Sequence, residues 1–359
     1  MKTTKKLLPL EALRALASIY VFLHHTLYTF DLLEKKSFFW YFFNFGQEAV
    51  IVFFILSGFV ISKSLEKNNY SFKIYFLHRF TRIYSVVFIS YLVSYVCWTI
   101  FSNTNFPTYT DFIYNVLMLQ DNVMFRPGTI VSPLFANNPL WSLSYEWWFY
   151  MLFFAQYAFQ KQMNISPMKN IHIAFSLSLA GMVTFYFFPN QMSTFLMYYV
   201  IWFSGSVLNY DMQYNTSIHL KAYLVILLLF ITSYILIFTL DQKYTTSIVH
   251  PFITLRHFLA LFIFLIFFLI IKKYLNKILN ISFIQIGINF FSLFASISFA
   301  IYLLHYPIMN AINTLDITSS SKIFSTAVLT FFIAYLTEKV FYPFIKRQWL
   351  TSETMDRQR

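Results

Sequence analysis

The sequence carries little charge and almost no cysteine. Asp, Glu, Lys and Arg together make up 11% of its 359 residues, about half the fraction found in an average soluble domain. The single cysteine, Cys97, excludes a disulfide framework and a metal site built from thiolates. No group of residues has the spacing of metal ligands, since His24 and His25 are adjacent and leave a helix in different directions. We therefore expect no metal.

Hydrophobic residues take the place of the missing charge. They make up 58% of the chain, and aromatic residues alone make up 22%. Apolar runs long enough to cross a bilayer recur along the whole chain. The sequence predicts an all-α, polytopic membrane protein with about ten transmembrane helices. We place these spans at roughly 9–30, 45–64, 80–101, 139–160, 171–188, 192–208, 221–240, 257–272, 288–310 and 323–343.

The chain shows no division into several domains. We expect one transmembrane domain over residues 1–345 and a short basic cytoplasmic tail over 346–359. The longest predicted loop, 101–138, is rich in Asn, Thr and Pro. The lysine-rich start imitates a signal peptide, but no small-residue cleavage site follows and Arg14 interrupts the apolar run. We therefore expect an uncleaved first span.

The distribution of basic residues predicts the orientation in the membrane. The formal net charge is +12, which alone would suggest a nucleic-acid partner. With a cytoplasmic N-terminus and ten spans, however, most basic residues fall on the cytoplasmic side, as the positive-inside rule expects. The six of the 26 that do not are Lys35, Lys36, Arg126, Lys243, Arg256 and Lys322. This pattern predicts that both termini are cytoplasmic, and we expect no nucleic acid.

The first span contains two ionisable residues, Arg14 and His25. Eleven helical positions separate them, which is about 16 Å along an α-helix. A cation at such a depth is unfavourable in lipid, so we expect it to face the protein interior or the interface. The simpler interpretation is an arginine that extends to the membrane edge and a buried structural histidine.

The third span begins with a pair of arginines. Arg79 and Arg82 are three residues apart and therefore lie on one face of a helix. Two guanidinium groups at a cytoplasmic helix end can bind phosphates in a fork geometry. Contact with lipid headgroups is the alternative.

Two further spans carry polar residues at depth. Glu146 lies about two turns inside the fourth span, where a carboxylate needs a partner. Ser298, Tyr302 and His305 follow a three-to-four spacing, which predicts a polar stripe on the ninth span. The predicted topology places His25, Glu146 and His305 in the outer half of the membrane. Three ionisable groups at similar depth indicate a functional site.

Five motifs in order give a resemblance to a known family. The sequence resembles the acyltransferase family 3 membrane proteins, which O-acylate cell-surface polysaccharides, lipopolysaccharide O-antigen and related glycans. The resemblance covers essentially the whole chain. Its motifs are the first-span arginine–histidine pair, Phe-Phe-Ile-Leu-Ser-Gly-Phe, Arg-x-x-Arg-Ile-Tyr, Leu-Trp-Ser-Leu-Ser-x-Glu-Trp-x-Phe-Tyr and Tyr-Leu-Leu-His-Tyr-Pro.

The resemblance implies roles for the matching residues. His25 matches the favoured catalytic histidine, and Glu146 and His305 match polar positions of two further motifs. The basic residues Arg14, Arg79 and Arg82 are assigned to the donor, acyl-coenzyme A. Many members carry Asp where this chain has Ile51, so that residue's role does not carry over. Whether Glu48 substitutes for it is open.

The resemblance also implies a reaction. We expect transfer of an acyl group, most often acetyl, from cytoplasmic acyl-coenzyme A to a hydroxyl of a cell-surface glycan or lipid-linked saccharide. The implied location is a bacterial inner membrane, among its lipids. His25 would act as the general base, and Glu146 would orient it as the third member of a triad does. An acyl-histidine intermediate is the main variant.

Three other classes remain open at this point. A proton-coupled transporter also needs intramembrane His and Glu, although the chain has no inverted repeat. A membrane-bound O-acyltransferase of the lipid- or protein-acylating type also uses a histidine in a hydrophobic segment. The third class is a structural or partner-binding membrane protein, which has little use for intramembrane ionisable groups.

Overall fold

The fold was analysed in a computed structural model that describes residues 8–68, 70–101, 106–239 and 249–356. These residues are 82% helical, and none of them lies in a β-strand. The α-helices are α1 (Leu8–Thr29), α2 (Phe38–Phe42), α3 (Gly46–Asn68), α4 (Phe72–Phe101), α5 (Tyr109–Val116), α6 (Trp141–Gln162), α7 (Pro167–Phe187), α8 (Gln191–Gln213), α9 (Ile218–Phe238), α10 (Phe252–Ile271), α11 (Leu275–Leu279), α12 (Ser282–Phe294), α13 (Ser298–Asn313), α14 (Ser319–Leu336) and α15 (Tyr342–Asp356).

Helices long and apolar enough to cross a bilayer dominate the bundle. Six of the described helical stretches meet this criterion, or up to seven if a bent pair counts as one span. The all-helical membrane architecture is therefore confirmed, whereas the count of ten and the cytoplasmic termini stay predictions. A helix overlaps each predicted span, but α1, α6 and α8 are not among the six, because they carry more polar side chains.

Helix α8 forms the centre of the bundle. Every residue from Met197 to Asp211 is buried, because α3, α6, α7 and α9 all pack against it. Its contact with α3 is unusually close and depends on two glycines. A Cβ atom on Gly58 would lie 2.0 Å from the Trp202 carbonyl oxygen, and one on Gly205 would lie 2.1 Å from the Ile55 carbonyl oxygen. Small residues at helix crossings are the usual means of close packing in membranes.

The predicted ninth span is broken into two helices. Helices α12 and α13 meet at an angle of 66°, and the break exposes a backbone carbonyl, that of Ala295. Arg14 Nη2 donates a hydrogen bond to it over 2.8 Å, and Ser18 Oγ donates to the Ser298 carbonyl over 2.7 Å. A cation at a helix C-terminus satisfies carbonyls that have no partner within the helix. Helix α1 therefore fixes the position of α13.

The predicted loop 101–138 contributes several buried residues to the bundle, although many residues of its described part, 106–138, are exposed. Arg126 is 2% exposed and forms an ion pair with Asp121 over 2.7 Å. The Arg126 guanidinium carbon lies 4.3 Å from the Trp141 ring centroid, and Tyr145 Oη donates to Asp121 over 2.5 Å. Burial alone would lower the pKa of Arg126, but Asp121, Tyr145 and Tyr198 together outweigh burial and raise that pKa. This charged pair joins the segment to the start of α6.

Helix α15 runs across the predicted boundary between domain and tail at residue 345. It follows a single π-helical turn, Thr337–Phe341, and residues 357–359 of the predicted tail lie outside the described part of the chain. The division into domain and tail stays a prediction.

Two glycine-to-alanine substitutions should distinguish the effect of packing at the helix crossing from the effect of helix propensity on stability. We expect Gly58→Ala to reduce the free energy of unfolding by at least about 2 kcal/mol, because the new methyl group overlaps a backbone carbonyl. Unfolding in mixed-detergent micelles measures this difference. Gly287→Ala is the matched control, since a Cβ there meets no atom within 4 Å, and it should stabilise α12 by about 1 kcal/mol. Equal effects of the two substitutions would contradict the packing argument.

Candidate active site

A cavity of about 230 Å³ lies between α1, α3, α4, α6 and α13. We call it the arginine cavity, because three of the predicted site residues, Arg14, Arg79 and Arg82, line it. Glu146 lines the same cavity. Leu10 and Glu11 also line it, so it lies toward the end of the bundle at which α1 begins. The fold thus brings together four of the six predicted site residues from three separate helices.

The two arginines of α4 have different neighbours. Arg82 donates two hydrogen bonds to Glu338, over 2.5 and 3.0 Å, and the Glu338 side chain is only 2% exposed. Arg79 forms no ion pair with a carboxylate in the part of the chain that the structure describes. Its guanidinium carbon lies 5.9 Å from the Tyr75 ring centroid and 5.8 Å from that of Tyr150, and its Nε is buried without a hydrogen-bond partner there. Arg79 is therefore available for an anionic ligand, whereas Arg82 is engaged.

Glu146 takes its hydrogen bonds from two neighbours in the bundle. Ser57 Oγ donates to Glu146 Oε1 over 2.8 Å, and Tyr150 Oη, one helical turn along α6, donates to the same oxygen. Ser57 also donates to Tyr150 Oη over 3.0 Å. Within the described residues Glu146 makes no hydrogen bond with a histidine. Its partners differ from the predicted triad because α6 presents Glu146 toward α3 and the arginine cavity.

The two predicted histidines form a pair outside the lining of this cavity. The ring centroids of His25 and His305 lie 5.3 Å apart, and that of Tyr306 lies 5.0 Å from His25. His305 is fully buried, and its Nδ1 lies 3.0 Å from the Ile301 carbonyl. A carbonyl only accepts, so the neutral ring carries its proton on Nδ1. His305 Nε2 is buried without a partner among the described residues and is left as a proton acceptor.

Tyr302 lies between the arginine cavity and the histidine pair. It lines the cavity, and its ring centroid lies 6.3 Å from that of His305. Its hydroxyl lies 2.9 Å from Ser142 Oγ and donates to the Pro139 carbonyl over 3.1 Å. The predicted polar stripe of Ser298, Tyr302 and His305 is thus a buried face of α13, and it connects the two halves of the site.

Glu48 does not join either group. It forms an ion pair with Arg256 over 2.6 Å, and neither residue lines the arginine cavity. Ile51, at the position where many family members carry Asp, is 1% exposed in the apolar core. Glu48 is therefore not placed where it could replace the missing Asp in the arginine cavity.

Together the fold and this cavity define a multi-pass helical membrane protein with a cationic internal site. Comparison with known proteins identifies its family. The family model described as an acyltransferase domain matches residues 8–339, nearly the whole described chain, and the chain therefore belongs to acyltransferase family 3. No curated protein and no solved structure matches it.

Sequence reasoning missed the partners of the predicted residues. Glu338 is 256 positions from Arg82, and its only signal was a carboxylate near the end of the last predicted span. Ser57 is the serine of the Phe-Phe-Ile-Leu-Ser-Gly-Phe motif, and nothing in that motif indicates its contact with Glu146, 89 positions away. Tyr150 lies in the fourth-span motif four residues after Glu146, and this i,i+4 spacing on a predicted helix was a signal for their contact.

The ion pair of Arg82 predicts a structural effect that double substitution should reverse. Arg82→Gln leaves the buried Glu338 carboxylate unpaired, so we expect a loss of roughly 3 kcal/mol in the free energy of unfolding. Arg82→Gln combined with Glu338→Gln should recover most of this loss, because it removes the unpaired charge. A double-mutant cycle on unfolding in detergent measures the coupling. An additive double variant would show that the pair does not stabilise the fold.

Proposed function

We propose that this protein is an integral membrane O-acyltransferase that moves an acyl group, most simply acetyl, from cytoplasmic acyl-coenzyme A to a hydroxyl of a cell-surface or exported glycan. Its membership of an acyltransferase family supports transfer chemistry. The observation that carries the proposal is the order of groups inside the bundle. An arginine-lined cavity, Tyr302 and the His25–His305 pair follow one another through neighbouring contacts.

The arginine cavity suits the donor. Coenzyme A carries phosphates, and Arg79 is a half-buried cation without a carboxylate partner in the described chain. A volume of about 230 Å³ is below the range of ~300–1,000 Å³ typical of whole-ligand pockets. The nucleotide therefore stays at the mouth of the cavity, where the charge distribution predicts the cytoplasm. Only the extended pantetheine arm enters and brings the thioester toward Tyr302.

The transfer step uses a histidine as a general base. His25 takes the proton from the acceptor hydroxyl as its oxygen attacks the thioester carbonyl carbon. The tetrahedral intermediate collapses with cleavage of the C–S bond, and the thiolate leaves with the proton that His25 carries. The products are the O-acyl ester and free coenzyme A. Such a base contributes about 10²–10⁴-fold to the rate.

Glu146 acts on the donor side in this scheme. Its carboxylate lines the cavity with the arginines and is fixed by Ser57 and Tyr150. The ring of the same Tyr150 lies beneath the Arg79 guanidinium. Glu146 therefore orients the tyrosine that Arg79 stacks on, and we assign it to positioning of the donor rather than to orientation of His25.

Removal of the base should abolish turnover without affecting donor binding. We expect His25→Ala to lower kcat by about 10²–10⁴-fold and to leave the KM for acetyl-coenzyme A unchanged. Transfer of radiolabelled acetyl from acetyl-coenzyme A into membrane glycan measures both. His172→Ala, an exposed histidine on α7, is the matched control and should behave as wild type. Near-normal transfer by His25→Ala would exclude His25 as the base.

Removal of the available arginine should affect the donor instead. We expect Arg79→Ala to raise the KM for acetyl-coenzyme A at least about tenfold, since a charge-assisted contact is worth roughly 1.5–3 kcal/mol, while excess donor restores the rate. Lys67→Ala, an exposed basic residue at the end of α3, is the control. An unchanged donor KM in Arg79→Ala would contradict the phosphate assignment. Purified protein that neither transfers nor hydrolyses the donor would favour a transporter.

A further inference from the structure

A second cavity, of about 560 Å³, is connected to the histidine pair through Asn138 and Tyr306. It is formed by the end of α4 and the packed segment 106–138, and we call it the aromatic cleft. Its volume falls within the ~300–1,000 Å³ range of ligand pockets. Aromatic rings, amide groups and one carboxylate line it together. Those that matter here are Trp98, Phe106, Phe135, Asp111, Asn122 and Asn138.

The charge of the aromatic cleft is opposite to that of the arginine cavity. Asp111 is its one charged lining residue among those described, and no basic side chain lines it. A polyanion such as coenzyme A would meet a carboxylate without a counter-charge there. A neutral polyhydroxy compound meets suitable partners instead. Aromatic faces carry negative charge density and attract the C–H face of a sugar ring, and carboxylate and amide groups accept and donate hydrogen bonds to hydroxyls.

The aromatic cleft reaches the histidine pair through two side chains. Asn138 lines the cleft and donates from Nδ2 to Tyr306 Oη over 3.0 Å. The Tyr306 ring centroid in turn lies 5.0 Å from that of His25. The arginine cavity reaches the same pair through different residues, Tyr302 and His305. The histidine pair is therefore linked to two cavities of different chemistry.

The wall of the aromatic cleft is held in place by buried hydrogen bonds. Asn115 is fully buried, donates to the Ser132 carbonyl over 3.0 Å and accepts from the Leu134 amide over 2.9 Å. Ser132 and Leu134 both line the cleft. The Arg126–Asp121 ion pair anchors the same segment to α6. A cleft with such support is formed before any ligand arrives, which is typical of binding sites.

We propose that the aromatic cleft is the carbohydrate acceptor site, in which a sugar ring stacks on Phe106 and places a hydroxyl toward His25. This inference rests on the proposed function, since it assigns the second substrate of that reaction. Phe106 is 57% exposed, so its replacement should leave the fold intact and report on binding alone.

The test is acceptor kinetics with defined variants of the full-length protein in membranes. The acceptor probe is polysaccharide from the envelope of cells that natively carry this chain, deacylated by mild base so that its hydroxyls are free. The donor is radiolabelled acetyl-coenzyme A. The variants are Phe106→Ala, Phe106→Leu, Phe106→Tyr and Asp111→Asn. The control is Phe187→Ala, which removes a 65% exposed ring from the end of α7 outside the cleft.

The proposal predicts a change in acceptor KM alone. Phe106→Ala and Phe106→Leu should raise it about tenfold, corresponding to ~1.4 kcal/mol, with kcat and donor KM unchanged. Phe106→Tyr should retain the wild-type value because it keeps the aromatic face, and Asp111→Asn should raise acceptor KM because it weakens an acceptor of hydrogen bonds. Phe187→Ala should match wild type.

The experiment distinguishes failure of the proposed function from failure of the acceptor-site proposal alone. Wild-type protein that transfers no acetyl to this polysaccharide overturns the proposed function and the acceptor site with it. Wild-type transfer with unchanged acceptor KM in both Phe106→Ala and Asp111→Asn overturns the acceptor site alone, and so does a rise in donor KM in these variants.

Discussion

Three guanidinium groups lie inside an apolar bundle, and the arrangement of the other helices depends on how each is accommodated. Arg14 donates to the Ala295 carbonyl at the break between α12 and α13, and Arg82 is paired with Glu338. Arg79 stacks on tyrosine rings without a carboxylate of its own in the described structure. A cation in low dielectric requires such partners. The three side chains themselves line one cavity, while their partners lie on several different elements of the bundle.

The need for a partner distinguishes arginines that are neutralised within the protein from an arginine that can still bind a ligand. Arg82 and Glu338 neutralise each other, and so do Arg126 and Asp121 in the packed segment 106–138. Arg79 differs because, among the residues that the structure describes, aromatic faces compensate it and no carboxylate does, which leaves room for a ligand anion. A site that binds an anionic donor needs a cation whose interactions are incomplete until the ligand arrives. Within the arginine cavity, Arg79 meets this condition best.

The histidine pair contacts Tyr302, which lines the arginine cavity, and Tyr306, which bonds to the aromatic cleft. In the proposed reaction an acyl donor that carries phosphates and a neutral glycan need different surroundings, and the linings of the two cavities differ in this way. A single mixed pocket would expose the thioester to water, whereas separate entries keep the reacting groups in a shielded region. The break in the ninth span positions α13 so that Tyr302 and His305 face α1 and α6 together.

The sequence by itself determined the helical membrane architecture, the family and the ionisable residues, because hydropathy, the cost of charge in lipid and short motifs are local properties. Residues such as Arg14, Arg79 and Glu146 were recognisable for that reason. Only the tertiary structure decided which of them meet. The pairing of Arg82 with Glu338, the contact of Glu146 with Ser57 and the contact of Asp121 with Tyr145 join residues on different elements of the chain. Such contacts depend on helix rotation and crossing, set here by close approaches such as Gly58 on Gly205, and spacing along one helix does not encode them.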